Sequence, residues 1–366
     1  MSYLSVESLE HSYGAVRALD RVSFTVAEGE RLCLLGPSGC GKTTTLNAIA
    51  GFLETDSGKV NVKGETLTGS PPEARNIGIM FQNYALFPHM SVFDNVAFGL
   101  RMRKESEAYV RDRVMDMLRL VKLSHAANRS PKQLSGGEQQ RIAFARAIAI
   151  KPALLLLDEP FSNLDARLKV EMRNELLGLL KPLKIATVMV THDQEEAMAI
   201  ADTIAVMRNG RIEQLGTARE IYHTPANLFV ASFIGESNVL EGQLRSVSSG
   251  VAAVDVAGIG PVLARHSDDL QIGDQVQIII RPEDIRIGKT PAYGNSNVLN
   301  RLKASLTDVT FLGNRTVIRV LVGDAPLVLS GNEQLASALD GATHGQTIYL
   351  DWDSTKGLIV KKEGTH

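Results

Sequence analysis

The chain is 366 residues long, with 39 Lys and Arg against 41 Asp and Glu, a formal charge of −2, and 44% hydrophobic residues. That length exceeds one ordinary core and leaves room for two or three domains, while the balanced charge gives no argument for nucleic acid as the main partner. The two cysteines, Cys33 and Cys40, argue against a disulfide framework and fit a reducing compartment.

The opening MSYLSVESLEHSYG has neither the basic start nor the apolar core of a secretory signal. No apolar run approaches the roughly 20 residues of a membrane span; the best candidates are ALLLL and IATVMV. The chain is expected not to cross a membrane, although it can dock on one.

Up to about residue 235, short apolar runs alternate with helical periods, the pattern of an α/β domain with a largely parallel sheet. RLCLLG, NIGIMFQ, ALLLLD, IATVMVT and TIAVM are apolar almost throughout and read as buried strands. Between the second and third of them, Val110, Val114, Met117, Leu118 and Val121 recur at helical spacing and predict a helix with one apolar face. After Glu236 the texture changes to short β-rich runs, VAAVDV, QVQIIIR, TVIRVLV, TIYLDWD and GLIVKK, separated by Gly and Asp turns. These predict an all-β barrel or sandwich over 236–366. In QVQIIIR, Val276, Ile278 and Ile280 share a face.

GPSGCGKTT follows the first buried strand and precedes a helical stretch. The spacing G-x-x-x-x-G-K-T suits a polyphosphate, because glycines let successive N–H groups converge on one anion and the helix N-terminus adds its positive end. Gly36, Pro37, Ser38, Gly39, Cys40, Gly41, Lys42, Thr43 and Thr44 are therefore candidates for the phosphate site. Lys42 is expected on the terminal phosphates and Thr43 on magnesium. The alternative is a glycine-rich connecting turn. Cys40 reads as a small residue filling a tight loop rather than an oxidation-sensitive thiol.

Further along, ALLLLDEP ends a strand in Asp158, a candidate magnesium ligand, and Glu159, a candidate general base. IATVMVTHD delivers His192, suited to a γ-phosphate, and GIMFQ delivers Gln82, an amide for magnesium or water. Taken singly, each is a plain strand-end polar group; together they converge on the edge where open α/β sheets bind ligands. LSGGEQQRIAFARA then places Ser135, Gly136 and Gly137 at the start of a helix, a second anion-binding terminus, with Ile142, Ala145, Ile148 and Ala149 on one face.

LSGGEQQ resembles the signature of ATP-binding cassette (ABC) proteins, and the order phosphate loop, FQ, LSGGEQQ, LLLLDEP, SNLD, THD resembles the whole cassette. The resemblance implies a P-loop cassette over 1–235 with a helical subdomain at about 83–150. It implies ATP and Mg2+ as cofactors and a head-to-tail homodimer that clamps ATP between one phosphate loop and the partner's Ser135-Gly136-Gly137 segment, with Glu138 beside it. Asn163, Leu164 and Asp165 match the D-loop of that family, and Tyr13 the aromatic that stacks on adenine. Glu138 and Asn163 stand where many relatives have glutamine and alanine.

The cassette followed by a β domain containing RPEDIRIG resembles the ATPase subunits of bacterial type I importers, which carry one or two OB-like (TOBE) modules. The stretch FQNYALFPHMSVFDNVAFGLRMRK is similar to the branch serving polyamines, ferric iron and sugars. By that resemblance the partners are membrane permease subunits and, indirectly, a solute-binding protein, with no nucleic acid. The resemblance also implies a location at the cytoplasmic face of the inner membrane, and Tyr84, Leu86, Phe87, Pro88 and His89 are candidates for permease docking or, equally, an internal cluster. Polyamine is the first expectation for the solute, with ferric iron, phosphonate or sugar as alternatives. A soluble cassette ATPase acting on nucleic acid or ribosomes, and a phosphotransferase, are the competing classes.

Overall fold

β1 (Leu4–Tyr13) and β2 (Val16–Val26) open the chain as an antiparallel hairpin that the period-two pattern hides. Ser8 sits at φ 48°, and the β1–β2 register shifts between Val6 and Leu9 and again around His11. Those bulges put Leu4, Val6 and Leu9 on the same buried face although Leu9 is out of phase with the other two. The computed structural model describes residues 2–362 apart from 163, 249, 267–269, 289–298, 333–334, 336–338 and 340–342. Asn163 thus lies outside the described residues. The chain divides into two compact units, Met1–Ile221 and Tyr222–His366.

In the first unit, β3 (Arg31–Leu35) leads through the glycine-rich loop into α1 (Lys42–Ala50), and β4 (Ser57–Val62) and the short β5 (Glu65–Thr66) complete the antiparallel sheet in the order β2-β1-β4-β5. The second sheet takes β6 (Ile77–Met80), β7 (Leu154–Asp158), β8 (Ala186–Thr191), β9 (Thr203–Arg208) and β10 (Arg211–Gly216) in the order β10-β9-β3-β8-β7-β6. All its pairs are parallel except β9–β10. One apolar cluster joins Leu4, Val6 and Leu19 to Leu46 and Ile49 of α1 and to Leu32, Leu156 and Val188 of the parallel sheet. The loop before α1 is therefore anchored from both sheets.

Between β6 and β7 stand α2 (Val92–Met102), α3 (Glu107–Leu120) and α4 (Gly136–Ala149), capped by the side chains of Ser91, Ser106 and Ser135. The apolar positions expected in α3 are all buried. α4 is more enclosed than a one-faced helix: Ala143, Phe144 and Ala147 are buried as well, because α2, α3 and β6 pack around it. α5 (Ala166–Leu183) and α6 (Gln194–Ile200) follow β7 and β8, capped by Asp165 and Asp193. The short α7 (Ala218–His223) runs into the second unit.

The boundary expected after residue 235 falls earlier, at Ile221. The reason is α8 (Leu228–Phe233), whose helical texture suits the first domain but whose Ala231 packs on Ile279 and Val360. Arg281, 5% exposed, fastens this segment by donating to the carbonyls of Tyr222 (3.0 Å) and Ala231 (2.9 Å) and to Ser237 Oγ (2.6 Å). Beyond it, β11 (Asn238–Ser248), β12 (Val251–Val256), β13 (Gly260–Arg265) and β14 (Gln275–Ile280) form a closed barrel with the last strand, β20 (Leu358–Lys361). Val276, Ile278 and Ile280 share its interior, while Ile279 faces α8.

Inserted before β20 is a second five-stranded sheet. It holds β15 (Arg286–Gly288), β16 (Leu299–Phe311), β17 (Thr316–Val322), β18 (Ala325–Gly331) and β19 (Thr347–Asp353) in the order β15-β19-β16-β17-β18. Two asparagines cross-link the modules by imitating a strand neighbour. Asn300 of β16 accepts from Leu263 N and donates to Leu263 O, both at 2.7 Å, and Asn238 of β11 does the same for Val328 at 2.6 and 2.8 Å. Both side chains are buried, so truncation strands two backbone groups away from water. Asn300→Ala is expected to destabilise the β unit by about 2 kcal/mol. Urea unfolding followed by the fluorescence of Trp352, the chain's one tryptophan, reads that unit alone.

Candidate functional site

The glycine-rich loop closes on itself around Lys42, which is 6% exposed and donates from Nζ to Gly36 O (2.7 Å) and Pro37 O (2.9 Å). Gly36 is required by space, since a Cβ there would lie 2.4 Å from Met207 O. Gly41 is required by both conformation, at φ 104°, and space, 2.6 Å from Ala18 O. Cys40, 3% exposed, packs inside the turn, and burial pushes its thiol up, as suits a filler rather than a reactive group. Pro37, Ser38, Gly39 and Thr43 are exposed on the outer side and Thr44 is half-buried.

An anion fits this place for a reason visible in the helices. The first turns of α2 to α6 and of α8 are each capped by a Ser, Asp or Asn side chain, but α1 begins at Gly41 with no side-chain cap and no acidic residue. Its amides and the Lys42 ammonium therefore point their positive ends at the loop without a fixed negative partner.

Across the sheet edge, β7 ends in Asp158, whose carboxyl is held above its usual range by burial, by the Glu159 carboxylate beside it and against the pull of Lys42. A divalent cation would relieve that like-charge pair, so the residues fit magnesium. Glu159 turns the chain at φ 43°, fixed by its N–H donating to Val190 O at 3.0 Å. In that pose Gln82 Nε2 donates to Glu159 Oε2 at 2.9 Å and His192 Nδ1 lies 3.1 Å from Glu159 Oε1. Three residues inferred from three separate strand ends meet on one carboxylate.

The signature segment stands elsewhere. Ser135 caps α4, accepting from Glu138 N at 3.3 Å, and Glu138 closes a capping box on Ser135 N (2.8 Å) and Oγ (2.9 Å). Glu138 is thus placed to hold Ser135. Gly136 and Gly137 face Leu164 and Met172, and Asp165 accepts from Leu168 N at 3.0 Å to cap α5. No hydrogen bond joins Ser135, Gly136 or Gly137 to the phosphate loop among the described residues. Gln140 escaped the sequence reading: its buried amide donates to Pro160 O at 3.1 Å, tying α4 to the segment after Glu159. The S-x-x-E pattern at Ser135 was a readable signal for the capping box; nothing local announces Gln140.

Tyr13 is 55% exposed beside the β1–β2 turn, its ring meeting His11 edge-on at 4.6 Å between centroids. Of the docking candidates, Tyr84 is buried, which suits the internal-cluster alternative for that residue. The Arg146 guanidinium donates to Tyr84 O and Ala85 O and lies over the Phe87 ring. Leu86 and Phe87 are half-buried; Pro88 and His89 remain exposed.

Residues 19–162 match the ABC transporter domain family and residues 278–360 the TOBE domain. The chain is 44% identical to the spermidine/putrescine import ATP-binding protein PotA of Thermobifida fusca, over 98% of this chain and 93% of the relative. It is 50% identical to the protein of that name from Methylococcus capsulatus, over 95% and 89%. The chain belongs to the import ATPases of the ABC transporter family. Among solved structures, this ABC ATPase is similar to cbiO1 of Clostridium perfringens, part of the ABC transporter complex cbiONQ (TM-score 0.56, 30% identity, 60% of this chain and 90% of that one). It is similar also to the dimeric structure of the bacterial ABC transporter cassette MJ0796 (TM-score 0.53, 30% identity, 59% and 99%). The TOBE match begins inside β14 and ends in β20, so β11 to β13 of the ABC ATPase's barrel precede it.

Because the folded chain holds the Asp158 proton more tightly than the unfolded chain does, stability falls as pH rises through the raised value, and the penalty is complete above it. Asp158→Asn is therefore expected to raise the thermal midpoint by a few degrees at pH 7.5 without magnesium, to lose that gain near pH 3, and to abolish stabilisation by magnesium with ATP. Calorimetry at the two pH values checks this.

Proposed function

We propose that this ABC ATPase is the energy-coupling subunit of a bacterial importer whose solute is a polyamine of the spermidine or putrescine type. The near full-length relatives named for that import support the solute class. The observation that carries the chemistry is the Glu159 carboxylate, held between Gln82 and His192 beside Asp158.

Glu159 is the general base. Its two oxygens are oriented by different partners, so it stays aimed while it takes a proton from water, a role commonly contributing 10²–10⁴-fold. Lys42 and the uncapped amides of α1 bind the phosphates of ATP and stabilise charge on the transferring group. His192 orients Glu159 and meets the terminal phosphate; Tyr13 offers its exposed ring face to adenine. Thr43, Gln82 and Asp158 would hold magnesium, which when bound supplies positive charge at the phosphates.

The separation of Ser135-Gly136-Gly137 from the phosphate loop supports a second copy packed head to tail, each chain lending its α4 terminus to the other's nucleotide. ATP then favours the closed pair by its differential affinity, and hydrolysis lets the pair part. In this reading the subunit lies at the cytoplasmic membrane surface against permease chains, with Pro88 and His89 on the exposed part of the docking segment. Among the described residues no helix is long and apolar enough to cross a membrane. A receptor outside the membrane selects the solute, and no residue of this chain has to touch it.

Glu159→Gln is expected to keep ATP binding, slow turnover at least about 100-fold and accumulate an ATP-bound dimer. Steady-state turnover with size-exclusion chromatography checks it, and unchanged turnover removes Glu159 from the role of base. Energised uptake of labelled putrescine by the co-purified complex, absent with the Gln variant, tests the solute.

A further inference from the structure

Lys169 stands in the first turn of α5, where its N–H donates to the carbonyl of the cap residue Asp165 at 2.8 Å. Its ammonium leaves that helix and reaches the segment around His192, lying 3.5 Å from Asp193 Oδ2 and 3.4 Å from Glu196 Oε1. Both carboxylates are built into that segment. Asp193 Oδ1 accepts from Glu195 N (2.9 Å) and Glu196 N (3.2 Å), capping α6. Glu196 Oε2 accepts from the Thr191 hydroxyl at 2.6 Å, and the same hydroxyl oxygen accepts from Asp193 N at 3.0 Å. Thr191 and Asp193 flank His192, which reaches Glu159.

We propose that Lys169 is a positioning residue for ATP hydrolysis: its ammonium ties the loop carrying Asp165 to the loop carrying His192, so that the two move as one body against Glu159. This rests on the reading of Glu159 and His192 as the hydrolytic pair. A plain surface ion pair would contribute little, but this one is neither plain nor exposed. Glu196 is 4% exposed; burial and the neighbouring Asp193 push its carboxyl up, while Thr191 and Lys169 oppose them. Two carboxylates share one ammonium, so without it they repel across the first turn of α6 and the Thr191–His192–Asp193 segment loses its tie to α5. Displacement of a catalytic group by about 1 Å commonly costs up to about 100-fold, which makes turnover the sensitive observable.

The tie also couples two faces of the unit. Asp165 belongs to the segment that the dimer reading places at the partner, and His192 to the segment placed at the nucleotide. A strut between them lets partner contact and the aim of Glu159 be set together.

The test uses the full-length chain as parent, Lys169→Met, Lys169→Arg, the double variant Lys169→Gln with Glu196→Gln, and Glu159→Gln as control, with kcat, KM for ATP and thermal midpoint measured for each. Lys169→Met is expected to lower kcat about 10-fold with KM changed less than about twofold, and Lys169→Arg to recover most of the loss. A merely structural residue would lower kcat only as the midpoint falls. The double variant removes the repulsion and so protects folding; it is expected to stay about 10-fold slow because the tie is gone. Parent kcat in the double variant, or a Lys169→Met loss matched by an equal rise in KM and untouched by arginine, overturns the proposal. Parent turnover in Glu159→Gln overturns the hydrolytic reading beneath it, a separate outcome.

Discussion

A nearly buried ammonium coordinated by carbonyls sets the terms for the first unit. Lys42 is held by Gly36 O and Pro37 O at the foot of a helix whose own amides are uncapped. Such a concentration of positive ends suits an anion, and the sheet order brings the other candidate groups to the same edge. β3 lies between β8 and β9, with β7 next to β8, so the loop, Asp158, Glu159 and His192 all leave the sheet at its carboxyl ends. The parallel strands are buried on both faces because both the antiparallel sheet and the helices need them as a wall.

The phosphate loop and the Glu159 carboxylate are held in different ways. Gly36 and Gly41 have no space for a side chain and fix the loop. By contrast, Glu159 is held by side chains from the β6 and β8 flanks, and the β8 flank is tied to α5 by Lys169. By closing the capping box, Glu138 keeps the Ser135 hydroxyl directed and satisfied.

Much of this architecture is legible in the residues alone. Strands such as Leu154–Leu157 are apolar without interruption because both faces are covered, and few arrangements besides a doubly covered sheet produce that pattern. The convergence of the loop, Asp158, Glu159, His192 and Gln82 was legible because each follows or ends an apolar strand of one parallel sheet. β1 was not legible, since register shifts scramble its alternation around Ser8 and His11. α8 has the texture of one domain and packs in the other. Tyr84 could not be told from an exposed aromatic, because its burial depends on packing that no local spacing encodes. Lys169 and Gln140 act across 24 and 20 positions of chain, and no local spacing encodes such a pairing.

The topology of the β unit has a consequence for biosynthesis. Four strands of the barrel are made in succession, but the fifth, β20, follows the whole second sheet. As the ribosome releases the chain, the barrel stands open along β13 and β14 with an unpaired edge until β20 emerges. The first unit, complete by Ile221, can fold during synthesis. The second must wait for β20, which makes that one short strand the latch of the domain.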